Sequence, residues 1–242
     1  MIHVTHDGPV ACIALHRPEA RNALPIAGWE ALAEVTAQVA QARAVVLHST
    51  SPGVFSAGAD IAELATLQTD PALRRRFREA MRGAIEAIAA LPMPLIAAVD
   101  GGCFGAGVAL ALAADLRIAG DDAVFAVTPA RLGIGYPAQD VARLVRQVGR
   151  GRAAAMLFSA ARADADTAAR YGLAELRATS ALDAARELAG TIAGNAPGAV
   201  RLLKRTLAGG AGLDRQFDEA FGGAEFAEGL AAFQQKRRAV FP

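Results

Sequence analysis

Apolar runs alternate with short polar or glycine-rich breaks along most of this chain. Residues Ile2 to His16 alternate loosely about an Asp7-Gly8-Pro9 turn signal, which predicts a hairpin. From Ala27 to Ala40, Trp29, Leu32, Val35 and Val39 recur at helical spacing. Ala44 to His48 reads as a strand. Asp70-Pro71 is a helix start, with a capping carboxylate followed by a proline in the first turn. That helix is predicted to run to about Ala90, where Leu91-Pro92-Met93-Pro94 stops it. Leu95 to Val99 has the length and branching of a buried strand, and Asp100, Gly101 and Gly102 break it. Val108 to Ala114 has no polar face, which predicts a helix buried all round. Strand-like runs return at Leu116 to Gly120 and within residues 123–129. From Ala138 onward the pattern is helical, with one helix ended by Asn195-Ala196-Pro197 and the next begun at Gly198.

The recurring order is strand, turn, strand, helix, so the fold class is α/β, although no close sequence repeat is visible. A chain of 242 residues can form one large domain or two small ones. The last third is mostly helical, and the chain is expected to divide into a core over residues 1–190 and a helical C-terminal region over residues 191–242. Phe217, Phe221, Phe226 and Phe233 give that last region more apolar surface than a small lobe buries, which predicts packing on a neighbouring subunit.

Composition narrows the classes. The chain is 53% hydrophobic with few aromatics, so its core is expected to be close-packed from small residues. A formal net charge of +1 argues against a general nucleic-acid binder. Cys12 and Cys103 are too few and too scattered for a disulfide framework or a metal site, and are read as buried thiols. No apolar run reaches membrane-spanning length without a charge or glycine break, and no basic region with a long apolar run opens the chain. A cytoplasmic protein is expected. His48, alone at a strand end, is read as a bystander. Arg74, Arg75, Arg76 and Arg78 point in several directions round one helix, which fits a solvated basic face better than a phosphate site.

Two stretches carry the candidate chemistry. Gly105, Ala106 and Gly107 open the apolar helix, and GVFSAGADI, from Gly53 to Ile61, places small residues ahead of another helical run. Helix starts leave backbone N–H groups without partners, and small side chains let an oxygen approach them. Two such donors converging on one thioester oxygen would stabilise the charge that builds there in acyl-transfer or enolate chemistry. Competing motifs fail on spacing. Ser56 is one residue too far along for a GxSxG nucleophile elbow, the glycines from 101 to 107 do not form GxGxxG, and there is no GxxxxGK[ST] loop.

FSAGADI and VDGGCFGAG together resemble the enoyl-CoA hydratase/isomerase (crotonase) superfamily. LHRPEARNAL resembles that family's LNRPxxxNAL segment, and EGLAAFQQKRRAVF resembles its EGxxAFxEKRxPxF ending. The resemblance spans nearly the whole chain in the right order. It implies a crotonase-like spiral of repeated ββα units with a helical C-terminal region that builds a trimer, or a hexamer made of two trimers. It implies an acyl-CoA substrate, with coenzyme A entering as part of the substrate and no separate cofactor or metal. By resemblance, the oxyanion N–H groups fall at Ala59 and Ala106. Coenzyme A contacts fall at Ala23, Ala59, Asp60, Ile61, Ala62 and Ala106, and Lys236 matches the basic residue that the family aims at a phosphate, often from an adjoining subunit.

The departures bear on the reaction. The two glutamates of the family's hydratases fall at Ala109 and Pro129, and an aspartate used by some isomerases and dehalogenases falls at Pro137. Hydration needs a base for water and an acid for the alpha carbon, and neither alanine nor proline moves a proton. TPARLGIGY resembles the TPxxLGxxY segment of methylmalonyl-CoA decarboxylases, whose tyrosine matches Tyr136, although those enzymes have histidine and glutamate where this chain has Ala59 and Ala109. Tyr136 is therefore the candidate proton donor or carboxylate-orienting group, the alternative being a wall residue whose hydroxyl is bonded to backbone. Two expectations stand: a lyase or isomerase of fatty-acid-type acyl-CoA metabolism, with decarboxylation, isomerisation and atypical hydration all open, or a catalytically silent acyl-CoA-binding protein.

Overall fold

The computed structural model describes residues 1–241. The chain opens with the predicted hairpin, β1 (Ile2–Asp7) antiparallel to β2 (Val10–Leu15). Then come α1 (Ile26–Glu34), β3 (Ala44–Ser49), β4 (Val54–Ser56), α2 (Ile61–Thr66) and α3 (Pro71–Ala89). The next unit is β5 (Leu95–Val99), β6 (Gly102–Phe104) and α4 (Ala106–Ala111), followed by β7 (Leu116–Gly120) and β8 (Val124–Ala126). Helices α5 (Ala138–Val148) and α6 (Arg150–Ser159) precede β9 (Ala163–Asp164), α7 (Ala165–Tyr171) and β10 (Leu176–Ala178). The chain closes with α8 (Ala181–Ala193), α9 (Pro197–Ala208), α10 (Leu213–Ala220) and α11 (Ala224–Gln234).

Successive strands go to two different sheets. The larger has the order β1-β2-β3-β5-β7-β10 and is parallel from β2 onward; the smaller has the order β4-β6-β8-β9. Thus β3, β5 and β7 each extend the large sheet, and the strand after each joins the small one, which is the ββα spiral.

Side-chain alternation divides the large sheet's two faces. Ala11, Ile13, Leu15, Val45, Leu47, Leu95, Ala97 and Val99 face the main core with Trp29, Leu32, Ile85 and Ile88. Val10, Cys12, Ala44, Val46, Ile96, Ala98 and Ile118 face Ala181, Ala185, Ala189 and Ala193 of α8. Alanine at every fourth position gives α8 a smooth stripe that lies close against the sheet. The boundary expected at residue 190 falls inside this helix, and the helices beyond it begin at Pro197. One tie from there to the core is Lys204, whose Nζ donates to the Met93 carbonyl and pairs with Asp115 at 2.6 Å.

Three local expectations differ from the structure. The helix over residues 27–40 is an α-helix only to Glu34 and tightens to a 3-10 helix over Val35–Val39. There the Thr36 hydroxyl donates to the Ala33 carbonyl, competing with the backbone ladder. The helix over residues 108–114 starts at Ala106 and ends at Ala111, and bonds from Ala113 to Leu110 and from Ala114 to Ala111 tighten its last turn. The glycine break at 101–102 runs into β6, because Gly102–Phe104 find β4 on one side and β8 on the other. Among the described residues, no helix is long and apolar enough to cross a membrane.

Candidate active site

Parallel pairing of β4 with β6, and of β6 with β8, puts the ends of three strands side by side. The segment Ala57–Asp60 follows β4, Gly105 follows β6, and Thr128 and Pro129 lie just past β8. These ends line a cavity of about 200 Å³ that includes Ala57, Ala59, Gly105, Ala106, Thr128, Pro129 and Tyr136. Ile61, Leu64, Phe77 and Met81 from α2 and α3, with Leu132 and Ile134, make the rest of the wall largely apolar. Arg78 and Tyr136 are the ionisable groups of that lining among the described residues, and no carboxylate is among them.

The backbone at Ala59 is held from one side. Leu24 donates to the Gly58 carbonyl at 2.7 Å and accepts from the Asp60 N–H at 3.1 Å. In such a parallel bridge, the residue between those two turns its own N–H away from the partner strand. Ala59 is that residue. Among the described residues, neither its N–H nor that of Ala106, the first residue of α4, has a hydrogen-bond acceptor. Gly58 has φ +91°, and a Cβ on it would sit 2.8 Å from the Ala106 nitrogen. A Cβ on Gly107 would come within 2.8 Å of the Ser56 carbonyl. Glycine at both points is what lets the two segments touch.

A polar network behind the cavity fixes this arrangement. Asn22 is fully buried at φ 56°. Its amide donates to Ser49 Oγ at 2.7 Å and to the Phe55 carbonyl at 3.0 Å, and its Oδ1 accepts from the Arg17 N–H and from Ser51 Oγ. Ser56 Oγ donates to the Asn22 carbonyl and accepts from the Gly58 N–H. Arg17 Nη1 donates to the Ala23 carbonyl and pairs with Asp60 at 2.5 Å. That guanidinium holds the Asp60 carboxyl below the usual carboxylate range. Asp60 also caps α2 by accepting from the Ala62 N–H at 2.9 Å. Glu63 reaches back to the Ile26 N–H.

The structure thus brings Ala59, Ile61, Ala106 and Tyr136 to one cavity, with Ile61 at its exposed edge. Ala23, Asp60 and Ala62 are tied to the Arg17 network behind it. Lys236 lies apart, exposed beyond α11 and outside the residues lining this cavity. The Tyr136 hydroxyl donates to the Gly105 carbonyl at 2.9 Å, and burial raises its pKa well above that of a free phenol. Ala109 is buried inside α4, and Pro129 stands in the cavity wall. His48 is buried outside the lining, and burial lowers its pKa. Arg74 is spent on the carbonyls of Leu67 and Gln68, and Arg76 pairs with Glu30. Cys12 and Cys103 are free and buried, and burial pushes the Cys103 thiol up. Asp140, which nothing in the sequence marks, lines an adjoining cavity of about 260 Å³ beside Arg143. Burial raises its pKa. A single aspartate in a helix's first turn looks like an ordinary dipole partner, so no local signal marks it.

The ββα spiral thus presents two backbone N–H groups without an acceptor among the described residues at a largely apolar cavity. The sequence profile of the family described as enoyl-CoA hydratase/isomerase matches residues 5–242. YngF of Bacillus subtilis, which carries an enoyl-CoA hydratase/isomerase name, is 36% identical over 96% of this chain and 94% of its own. The short-chain-enoyl-CoA hydratase of Clostridium acetobutylicum is 31% identical over 96% of this chain and 94% of its own. The crystal structure of an enoyl-CoA hydratase/isomerase family protein from Hyphomonas neptunium superposes with a TM-score of 0.95 at 36% identity, covering 100% of this chain and 97% of that one. The chain belongs to the enoyl-CoA hydratase/isomerase family, and its fold is the α/β spiral of that family.

Proposed function

We propose that this protein is an acyl-CoA thioester enzyme that holds a thioester enolate between the N–H groups of Ala59 and Ala106. The observation that carries the reading is the pair of unpartnered backbone donors at one apolar cavity. An enolate oxygen gains charge in the transition state, and fixed donors in a dry wall stabilise that charge without reorganising. The small apolar cavity suits a short acyl chain. Coenzyme A would lie outside it, along Ala23, Asp60, Ile61 and Ala62, with Lys236 of an adjoining subunit toward a phosphate. Among the described residues the lining has no carboxylate, which supports a reaction other than two-glutamate hydration. Decarboxylation is the favoured reaction, because loss of carbon dioxide generates the enolate without a strong base. Isomerisation is second.

The protein works as a trimer or as a pair of trimers in this reading. Exposed Leu203, Leu207, Phe217, Phe221 and Phe233 on the last helices support it.

The same lack of a carboxylate favours one other reading, a silent acyl-CoA-binding protein. Incubation with a panel of malonyl-type, 3-enoyl and 2-enoyl thioesters of coenzyme A, followed by mass analysis, separates the two. Turnover of one member supports the enzyme, and saturable binding with no turnover of any supports the silent protein.

A further inference from the structure

Tyr136 Oη donates to the carbonyl oxygen of Gly105 at 2.9 Å. That carbonyl belongs to the peptide unit whose nitrogen is Ala106. A trans peptide is planar and carries its C=O and N–H in opposite directions. Fixing the oxygen on one side therefore aims the N–H on the other, where Gly58 and the segment of Ala59 lie. The Val108 N–H donates to the same oxygen at 3.0 Å, so two donors load one carbonyl. Donation to a carbonyl oxygen draws electrons through the amide and makes its N–H a stronger donor, an effect of about 10–30% per bond.

We propose that Tyr136 is a positioning residue that orients and polarises the Gly105–Ala106 peptide, and so sets the strength of the Ala106 donor toward a thioester oxygen. This rests on the oxyanion reading above. Neighbouring contacts favour this role over direct proton transfer to substrate. The hydroxyl proton is already given to Gly105. Burial opposes its ionisation, with the charge of Asp140 adding to the effect. Gly105 itself is pinned, since its N–H donates to the Ala126 carbonyl at 2.9 Å, which leaves the following peptide to be set by what its oxygen meets. The ring of Tyr136 packs against the main core and comes from beyond β8, so the hydroxyl arrives on a rigid support.

The test is the infrared stretch of the thioester carbonyl of a saturated acyl-CoA, butyryl-CoA, bound to the whole protein. Binding to the wild type lowers that frequency. In Tyr136→Phe the lowering shrinks by at least about the 10–30% expected of one cooperative bond. The dissociation constant for butyryl-CoA stays within about twofold, because coenzyme A supplies most of the contacts. For the best substrate of the panel, kcat falls about tenfold while KM holds, a fraction of the loss from removing an oxyanion donor outright. Replacing Tyr136 by a fluorotyrosine, a stronger donor of the same shape, deepens the shift and guards against a folding defect in the phenylalanine variant. An equal shift in wild type, phenylalanine and fluorotyrosine proteins overturns the proposal and leaves the oxyanion reading standing. No shift on binding to the wild type overturns the oxyanion reading, and this proposal with it. A fall in kcat with the shift unchanged assigns Tyr136 to proton transfer and also overturns the proposal.

Discussion

Gly58 and Ala106 touch: a β-carbon on the glycine would lie 2.8 Å from the alanine's amide nitrogen. Gly58 also holds φ +91°, which side-chain-bearing residues adopt at a cost. Replacing it is expected to push the Ala106 segment away from Ala59 and to strain the turn. Gly58→Ala should lose about a hundredfold in kcat, the cost of spoiling one oxyanion donor. Its stability should fall by about 1–3 kcal/mol. Steady-state kinetics with chemical denaturation checks both, and a fully active, equally stable variant counts against the geometry described.

The ion pair between Arg17 and Asp60 makes a pH prediction. Arg17 holds the folded pKa of Asp60 below its usual value, which is about 3.9 in an unfolded chain. A depressed carboxylate pKa contributes stability above the unfolded value, and that contribution is lost as pH falls through the folded value. Wild type should therefore be more stable than Asp60→Asn at neutral pH. The gap should close on acidification below about pH 4. Urea midpoints of the two proteins across that range measure it. A gap that stays constant or widens in acid means that Arg17 does not stabilise the charged form.

Leu207 and Phe233 are 90% and 83% exposed on α9 and α11, and Leu203, Phe217 and Phe221 of the same terminal region are exposed too, more apolar surface together than scattered single side chains present. Light scattering at micromolar concentration should give three or six times the chain mass of 24.9 kDa. The double substitution Leu207→Glu and Phe233→Glu should lower the mass to that of one chain, by placing charges where apolar surface is buried. A wild type that scatters as a single chain contradicts the assembly.

How far the sequence reaches depends on how local the cause is. Helix α3 is legible because its cap and its stop lie within a few residues: Asp70 accepts from the Ala72 and Leu73 N–H groups, and prolines follow Leu91. Strands β4 and β6 are not, because three residues are too few to display a period of two. They are strands because each finds the other across the fold. The small residues at Ala59 and Ala106 mark two bare backbones, but only the parallel pairing of β4 and β6 brings those backbones together. Asn22 sits in a resembling segment, yet its work lies at Ser49, Ser51 and Phe55, far along the chain. The bond from Tyr136 to Gly105 spans 31 positions and has no sequence period at all. Side chains that hold a site from behind are invisible until the elements that carry them have packed.

In the proposed function Ala59 and Ala106 together receive a thioester oxygen. A crystal structure of the protein with butyryl-CoA tests it most directly. The thioester oxygen is expected at about 2.7–3.1 Å from both backbone nitrogens, with the acyl chain toward Met81 and Tyr136. A complex in which coenzyme A is bound but that oxygen lies beyond hydrogen-bond reach of either nitrogen would contradict it.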